Sequence, residues 1–155
     1  MVLDVPEGCQ LILGQSHFIK TVEDLYEALV SSAPGIKFGV AFCEASGRAL
    51  VRYDGSDPDA TSLARDFAQK LGGGHCFVIV LIGSFPINVL NRIKNVEEVV
   101  SILCATSNTV TVVIADNGKG RGILGVIDGV SPSGVESEED KRERHEFLRK
   151  IGYKR

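Results

Sequence analysis

The segment from Leu71 to Ile82, LGGGHCFVIVLI, places three successive glycines directly before a histidine and an apolar run. A continuous apolar run of this length, bounded by glycine, is typical of a strand that is buried on both faces. We therefore predict a buried strand over 75–82, with His75 at its entrance. Because glycine carries a high entropic cost in a regular element, the triplet itself requires an explanation.

Helical signals occur on both sides of this strand. Asp57 followed by Pro58 is typical of a helix start, and Gly72 is typical of a helix end. Thr21 is predicted as the N-cap of an earlier helix. The helices are predicted within four stretches, 21–33, 57–72, 84–106 and 136–155. The third of these rests on the helical spacing of four apolar residues, Val96, Val99, Val100 and Leu103.

The intervening apolar runs are predicted strands, and turn residues at 45–47 and 117–120 predict two hairpins. The resulting order of elements is β-α-β-β-α-β-α-β-β-α. This order predicts an α/β fold in which residues 1–155 form a single layered domain, with a mixed β-sheet and helices packed on it. We expect the sheet to be mixed because hairpins pair neighbouring strands antiparallel.

Composition argues against several classes of protein. The chain of 155 residues has a net charge of -3, whereas proteins that bind nucleic acid or anionic membranes carry a basic excess. The longest apolar run is far shorter than the roughly 20 residues that span a bilayer, and the N-terminus lacks a signal-peptide pattern. The four cysteines are scattered without metal-ligand spacing, so we expect reduced thiols, no metal site and a cytoplasmic protein.

The glycine triplet and the histidine together suggest a chemical function. One glycine is enough to cap a helix, and the others can direct N–H groups toward an anion and let a phosphate approach closely. A neutral imidazole is a good nucleophile, so His75 beside Gly73 and Gly74 is a candidate phosphoryl acceptor. The alternative is a tight helix-to-strand turn with a histidine bonded to the backbone. His17 and His145 are interpreted as solvated side chains.

Two further segments contain candidate binding residues. Asn88 and Asn91 are three residues apart and would share one face of a helical turn, where their amides could read a base or a ribose. They could equally be caps. The segment 104–108 contributes Thr106 and Asn108, which suit either close packing against a flat ligand or an ordinary loop.

The segment 118–129 concentrates glycines with Arg121, Gly122 and Asp128. Arg121 could hold a phosphate bidentately, and Asp128 could act as a base or bind a metal ion. A glycine-rich hairpin with solvated charges is the alternative. The pattern G-x-G-x-x-G at 120–125 does not indicate a dinucleotide site, because that motif requires a following helix and β-rich sequence follows here.

Five stretches of the sequence resemble the adenosine-specific kinase family: GGGHCFVIV, FPINVLNRIKNVEEV, CATSN, GRGILGVIDGVSPSGVESEED and FLRKIGYK. The resemblance covers nearly the whole chain. It implies an α/β subunit that assembles into a homo-oligomer, either a trimer or a hexamer, and that binds adenosine or AMP. It also implies a histidine that carries a phosphoryl group, and the similar glycine-rich setting assigns that role to His75.

The residues and the resemblance together predict a kinase that phosphorylates adenosine, with ATP as the phosphoryl donor and Mg²⁺ as a candidate cofactor. His75 and Asp128 are the predicted catalytic residues. The predicted substrate-binding residues are Gly73, Gly74, Asn88, Asn91, Thr106, Asn108, Arg121 and Gly122. The alternative function is an AMP-binding or phosphohistidine carrier module without turnover, and a third interpretation gives the glycines a purely structural role.

Overall fold

A computed structural model describes residues 1–155. The strands are β1 Val2–Leu3, β2 Cys9–Ser16, β3 Lys37–Cys43, β4 Val51–Gly55, β5 Cys76–Ile82, β6 Val99–Thr106, β7 Val110–Asp116 and β8 Arg121–Asp128. The helices are α1 Thr21–Val30, α2 Pro58–Leu71, α3 Leu90–Lys94 and α4 Glu138–Lys150, with a 3₁₀ turn at Pro86–Asn88. No helix is long and apolar enough to cross a membrane.

The strands form two sheets, which confirms the layered α/β class. Five strands pair in the order β4-β3-β5-β2-β6, and three pair in the order β1-β7-β8. Every strand pair is antiparallel, whereas the sequence predicted one mixed sheet. The difference arises because no connection in this chain returns a strand parallel to its neighbour, as a crossover must. The one parallel contact is a single bridge between Gly73 and Arg121.

The central strand β5 is buried on both faces, as its apolar run predicts. Its residues from Cys76 to Leu81 are all buried. One face belongs to a core shared with α2 and the three-stranded sheet, and the other belongs to a core shared with α1 and α3. Two layers therefore cover this strand, and successive residues at its start point into two different cores.

The cap predictions have mixed outcomes. Asp57 accepts hydrogen bonds from the N–H groups of Asp59 and Ala60, each at 3.1 Å, and Gly72 ends α2 in the left-handed conformation. Both of these predictions are confirmed. The prediction that Thr21 is an N-cap is wrong, because α1 begins at Thr21 itself. The Thr21 hydroxyl is buried and bonds within the chain segment that precedes the helix.

The predicted helix through residues 96–103 is also wrong. Only Leu90–Lys94 is helical there, and Val99–Thr106 is a strand at the edge of the five-stranded sheet. The apolar residues of this stretch fit a helical spacing, but they are rich in β-branched side chains that suit a strand. Pairing with β2, which is distant in the sequence, decides between the two.

The last helix, α4, is confirmed within the predicted stretch. Ser137 caps it in a reciprocal arrangement with Asp140, and basic residues occupy its last turn. None of its residues is buried. Large apolar side chains are also exposed before it and on it: Leu124, Ile127, Val130, Val135 and Phe147. This end of the chain therefore leaves apolar surface uncovered.

Candidate functional site

His75 lies at the junction of α2 and β5 with an unusual backbone conformation. Its φ angle is +63°, in the left-handed region that residues other than glycine rarely adopt. Its N–H donates to the Cys43 carbonyl at 2.8 Å, and its carbonyl accepts from the Ser16 N–H at 2.9 Å. Two neighbouring strands thus hold a strained backbone in place. Such retained strain is characteristic of functional sites.

The His75 ring is half-buried among aromatic side chains. It stacks on Phe42, with ring centroids 5.9 Å apart and planes at 16°, and it meets the edge of the His17 ring at 6.2 Å. His17, interpreted from sequence as solvated, is therefore a neighbour of the predicted catalytic residue. No local pattern could have revealed this contact, because it depends on the pairing of β2 with β5.

The glycine triplet mainly joins the two sheets. The Gly72 N–H closes α2 on the Ala68 carbonyl, and the Gly74 N–H donates to the Arg121 carbonyl at 3.3 Å. A Cβ at Gly74 would come within 3.1 Å of Ala45, so a side chain at this position would press against the loop that follows β3. Of the three glycine amides, Gly73 alone makes no backbone hydrogen bond. Two of the amides expected to face an anion are thus engaged within the protein.

A cavity of about 620 Å³ opens beside the triplet, and we call it the glycine cavity. It lies between the loop that follows β3, the triplet and the β7–β8 hairpin. Its lining includes Glu44, Gly72, Gly74, Asp116, Lys119, Arg121 and Gly122. The His75 ring is not part of this lining. Gly73, Gly74 and Gly122 also line a smaller neighbouring cavity of about 120 Å³.

Both carboxylates of the glycine cavity already have partners. Arg52 donates to Glu44 at 2.7 Å, and the Arg121 Nε donates to Asp116 at 2.9 Å. The pKa of Asp116 is lowered chiefly by that Arg121 hydrogen bond. Lys119 makes no ion pair. The Arg121 Nη1 donates to the Lys70 carbonyl at 3.4 Å. The ammonium group of Lys119 and the Nη2 of Arg121 therefore remain available to an anion.

Three predicted residues meet at the opposite end of β8. The Asp128 Oδ1 accepts from the Thr106 hydroxyl at 2.8 Å and from the Asn108 amide at 2.9 Å. Thr106 Oγ1 in turn accepts from the Asn108 N–H at 3.0 Å. Arg121 and Asp128 are seven residues apart on one strand, which separates them by about 23 Å. One chain therefore holds two separate groups of predicted site residues.

The two asparagines join neither group through hydrogen bonds. The Asn88 Oδ1 accepts from the Phe85 N–H at 3.1 Å, which is the capping role that the sequence left open. Asn91 is exposed on the short helix α3 and makes no side-chain hydrogen bond. Both residues follow the end of β5 that is remote from His75.

A second polar cavity, of about 360 Å³, lies near the His17 ring. We call it the Glu98 cavity, and its lining is His17, Phe18, Lys20, Glu97 and Glu98. Sequence analysis assigned no role to Glu98, whose residue surface is only 6% exposed. The one available signal was a glutamate directly adjoining the apolar run 99–105, which the helix prediction obscured. No group of three or more acidic, histidine or cysteine side chains is arranged to hold a metal ion.

These features define an α/β domain of two antiparallel sheets in which a rigidly held histidine lies at the entrance of the central strand, near two polar cavities. A scan against protein families matches residues 1–154 to the family described as adenosine specific kinase. The chain therefore belongs to the adenosine-specific kinase family, as its sequence motifs implied. A search of curated proteins found no match.

The fold is also similar to a solved structure. The crystal structure of the PH1918 protein from Pyrococcus horikoshii OT3 superimposes with a TM-score of 0.94 at 46% sequence identity. The match covers 100% of this chain and 97% of that chain. The two proteins therefore share the same fold over their whole length.

Proposed function

We propose that this protein is a kinase that phosphorylates adenosine by way of a phosphohistidine at His75. Family membership supports a nucleoside-kinase-like role. The observation that carries the finer proposal is the strained backbone of His75, fixed by Cys43 and Ser16 at the entrance of the central strand. A nucleophile held in this way is preorganised for transfer, so little ordering remains at the moment of reaction.

The glycine cavity is the proposed site for ATP. Lys119 and Arg121 would pair with phosphate oxygens, because a guanidinium or ammonium group forms strong, charge-assisted hydrogen bonds with them. Mg²⁺ would arrive bound to the ATP phosphates, its usual route in phosphoryl-transfer enzymes. The proposed compartment is the reducing cytoplasm, which suits the four free thiols.

The proposed transfer has two steps. In the first, an imidazole nitrogen of His75 attacks the γ-phosphorus of ATP, an N–P bond forms, and the bond to the leaving ADP oxygen breaks. In the second, the 5′-hydroxyl oxygen of adenosine attacks the same phosphorus and the N–P bond breaks, giving AMP. The hydroxyl proton passes to a base, for which Asp128 is the proposed group.

Asp128 can serve His75 only if a second subunit brings the two ends of β8 together. Within one chain the strand separates Arg121, beside the triplet, from Asp128 by about 23 Å. The exposed apolar residues around β8 and α4 supply surface for a homo-oligomer, proposed to be a trimer or a hexamer. Light scattering coupled to size exclusion tests the assembly, and a monomer at micromolar concentration contradicts it.

A second function, a phosphohistidine carrier that binds AMP without turnover, has one observation in its favour. The His75 ring is half-buried against Phe42, and shielding from water slows the hydrolysis of a phosphoryl group. The two functions differ in stoichiometry. The kinase accumulates AMP beyond one equivalent per subunit, whereas the carrier stops at one equivalent.

The test is incubation with γ-labelled ATP, with and without adenosine. The kinase proposal predicts protein-bound label without adenosine and labelled AMP over many turnovers with it. His75→Ala is expected to abolish both signals, and His145→Ala, on the exposed helix α4, is the matched control that keeps both. Labelled AMP formed at an undiminished rate by His75→Ala would overturn the proposed role of the histidine.

A further inference from the structure

Glu98 is a buried carboxylate without a hydrogen-bond partner. Its side chain is 3% exposed, and neither carboxylate oxygen accepts a hydrogen bond. Only its backbone is engaged, since its carbonyl accepts from the His17 N–H at 2.8 Å and from the Ser16 hydroxyl at 3.0 Å. Buried carboxylates are normally paired and hydrogen-bonded, because losing water costs free energy. The unused acceptors therefore require an explanation.

The nearest cation does not supply that explanation. The Lys20 ammonium lies 3.4 Å from Glu98 Oε2 without a hydrogen bond, and it donates instead to Asp24 at 2.8 Å and to Glu97 at 2.6 Å. Those two bonds, with Asp24 first, raise the pKa of Lys20. Three carboxylates thus share one ammonium group, which leaves an excess of two negative charges around Glu98.

The surroundings of Glu98 have the character of a binding site. Glu98 lines a cavity of about 360 Å³ together with His17 and Phe18, whose side chain is exposed at the surface. The His17 ring lies 6.2 Å from the ring of His75. Glu98 and His75 immediately precede β6 and β5, and both lie beside the same end of β2, so their backbones are about 10 Å apart. A ligand in this cavity is within reach of the proposed phosphohistidine.

We propose that Glu98 binds the ribose 2′- and 3′-hydroxyl groups of the acceptor nucleoside, with Phe18 available to the base. This inference rests on the proposed function and specifies how that function selects its substrate. A cis-diol presents two O–H donors, and an ionised carboxylate presents two acceptor oxygens and no donor. A neutral donor suits the cavity because the ammonium group of Lys20 can stay in place. If a cation occupied the cavity instead, binding of the nucleoside would not depend on its ribose hydroxyl groups.

The test compares nucleosides that differ only in one hydroxyl. Calorimetry measures the Kd of the full-length protein for adenosine, 2′-deoxyadenosine and 3′-deoxyadenosine. The wild-type protein is expected to bind each deoxynucleoside about 10- to 100-fold more weakly, the usual effect of losing a hydrogen bond to a charged group. Equal affinity for all three nucleosides overturns the proposal without any variant.

Glu98→Gln is compared with Glu27→Gln, because Glu27 is an exposed residue of α1 that does not line the Glu98 cavity. Glu98→Gln is expected to bind adenosine as weakly as the wild type binds the deoxynucleosides, and to lose most of the discrimination. Glu27→Gln is expected to keep it. Full discrimination in Glu98→Gln overturns the inference.

Labelling of His75 by ATP in the absence of a nucleoside separates this inference from the proposed function. A wild-type protein that neither labels nor binds adenosine contradicts the proposed function itself. A protein that labels and binds, but ignores the diol or Glu98, contradicts only the inference about Glu98.

Discussion

The two ends of strand β8 differ in what surrounds them. At its first residue, Arg121 adjoins the glycine triplet and an open cavity, next to the residue that precedes β5, His75. At its last residue, Asp128 accepts hydrogen bonds from Thr106 and Asn108. The first end has cationic side chains beside an open cavity, whereas the second holds a carboxylate by two hydrogen bonds. If both ends serve one reaction, they must do so across subunits.

The largest expected effect comes from mixing two variants. His75→Ala removes the nucleophile and Asp128→Asn removes the proposed base, so each alone is expected to lose at least about 100-fold in turnover. Oligomers refolded from an equal mixture are expected to regain activity, because some sites then combine an intact His75 with an intact Asp128. The measurement is AMP formation by oligomers of verified composition.

The control is each variant refolded alone and then combined without exchange of subunits. Recovery only in the co-refolded sample places the two ends of β8 in one shared site. If mixed oligomers stay inactive, the two ends of β8 do not contribute to one shared active site.

A smaller effect is expected from Arg121→Gln at the first end. Loss of a charge-assisted hydrogen bond to phosphate, about 1.5–3 kcal/mol, should lower kcat/KM for ATP by about 10- to 100-fold. The Kd for adenosine should not change, because the neutral nucleoside makes no phosphate contact. Arg65→Gln, on the surface of α2 and paired with Asp66, is the control. Equal losses for ATP and adenosine would mean that Arg121 supports the fold and not the anion.

At the second end, Thr106→Val tests whether the cluster holds Asp128. Valine keeps the volume but removes the donor to Asp128 and the acceptor for the Asn108 N–H. We expect a loss of about 0.5–1.5 kcal/mol in the free energy of unfolding, measured with denaturant, because the hydrogen bonds made by the buried Thr106 hydroxyl are lost. Thr109→Val, at an exposed position, should change stability by less than about 0.5 kcal/mol. Equal stability of the two variants would show that the cluster is not structural.

The sequence predicted only part of the fold and of the candidate site. Asp57 and Gly72 set the bounds of α2 because a cap acts through bonds within a few residues. The apolar run that ends at Ile82 predicted β5, because a strand covered on both faces needs an unbroken apolar stretch. Such local and compositional signals were sufficient for the α/β class and for the order of most elements.

The remainder depends on contacts between distant residues. Strand β6 was mistaken for a helix because its partner β2 lies about ninety residues earlier in the chain. The pairing of β2 with β5 places His17 against His75, and its pairing with β6 places the backbone of Glu98 against His17. No local pattern distinguishes a buried Glu98 from the exposed Glu97 beside it. The separation of Arg121 from Asp128, in contrast, already follows from the predicted hairpin at 117–120, because an extended strand holds its two ends apart.

The smallest expected effect concerns Cys104, which lies near the Asp128 end. Burial first, and the charge of Asp128 second, raise the pKa of this thiol to about 11. Only about 0.1% is thiolate at pH 8, so alkylation should be slow and should quicken about tenfold per pH unit up to the pKa. Asp128→Asn should accelerate it modestly by removing the second cause. Mass spectrometry of iodoacetamide-treated protein measures the rate, and alkylation as fast as that of an unstructured cysteine peptide would contradict the buried setting.

The most direct test of the central role of His75 is to locate phosphate after incubation with ATP alone. Mass spectrometry of the tryptic peptide 71–92, in which His75 is the only histidine, measures the added phosphoryl group and its position by fragmentation. We predict one phosphate per peptide on His75, and its loss with the formation of AMP when adenosine is added. An unmodified peptide under turnover conditions, or phosphate on another residue, would contradict the account.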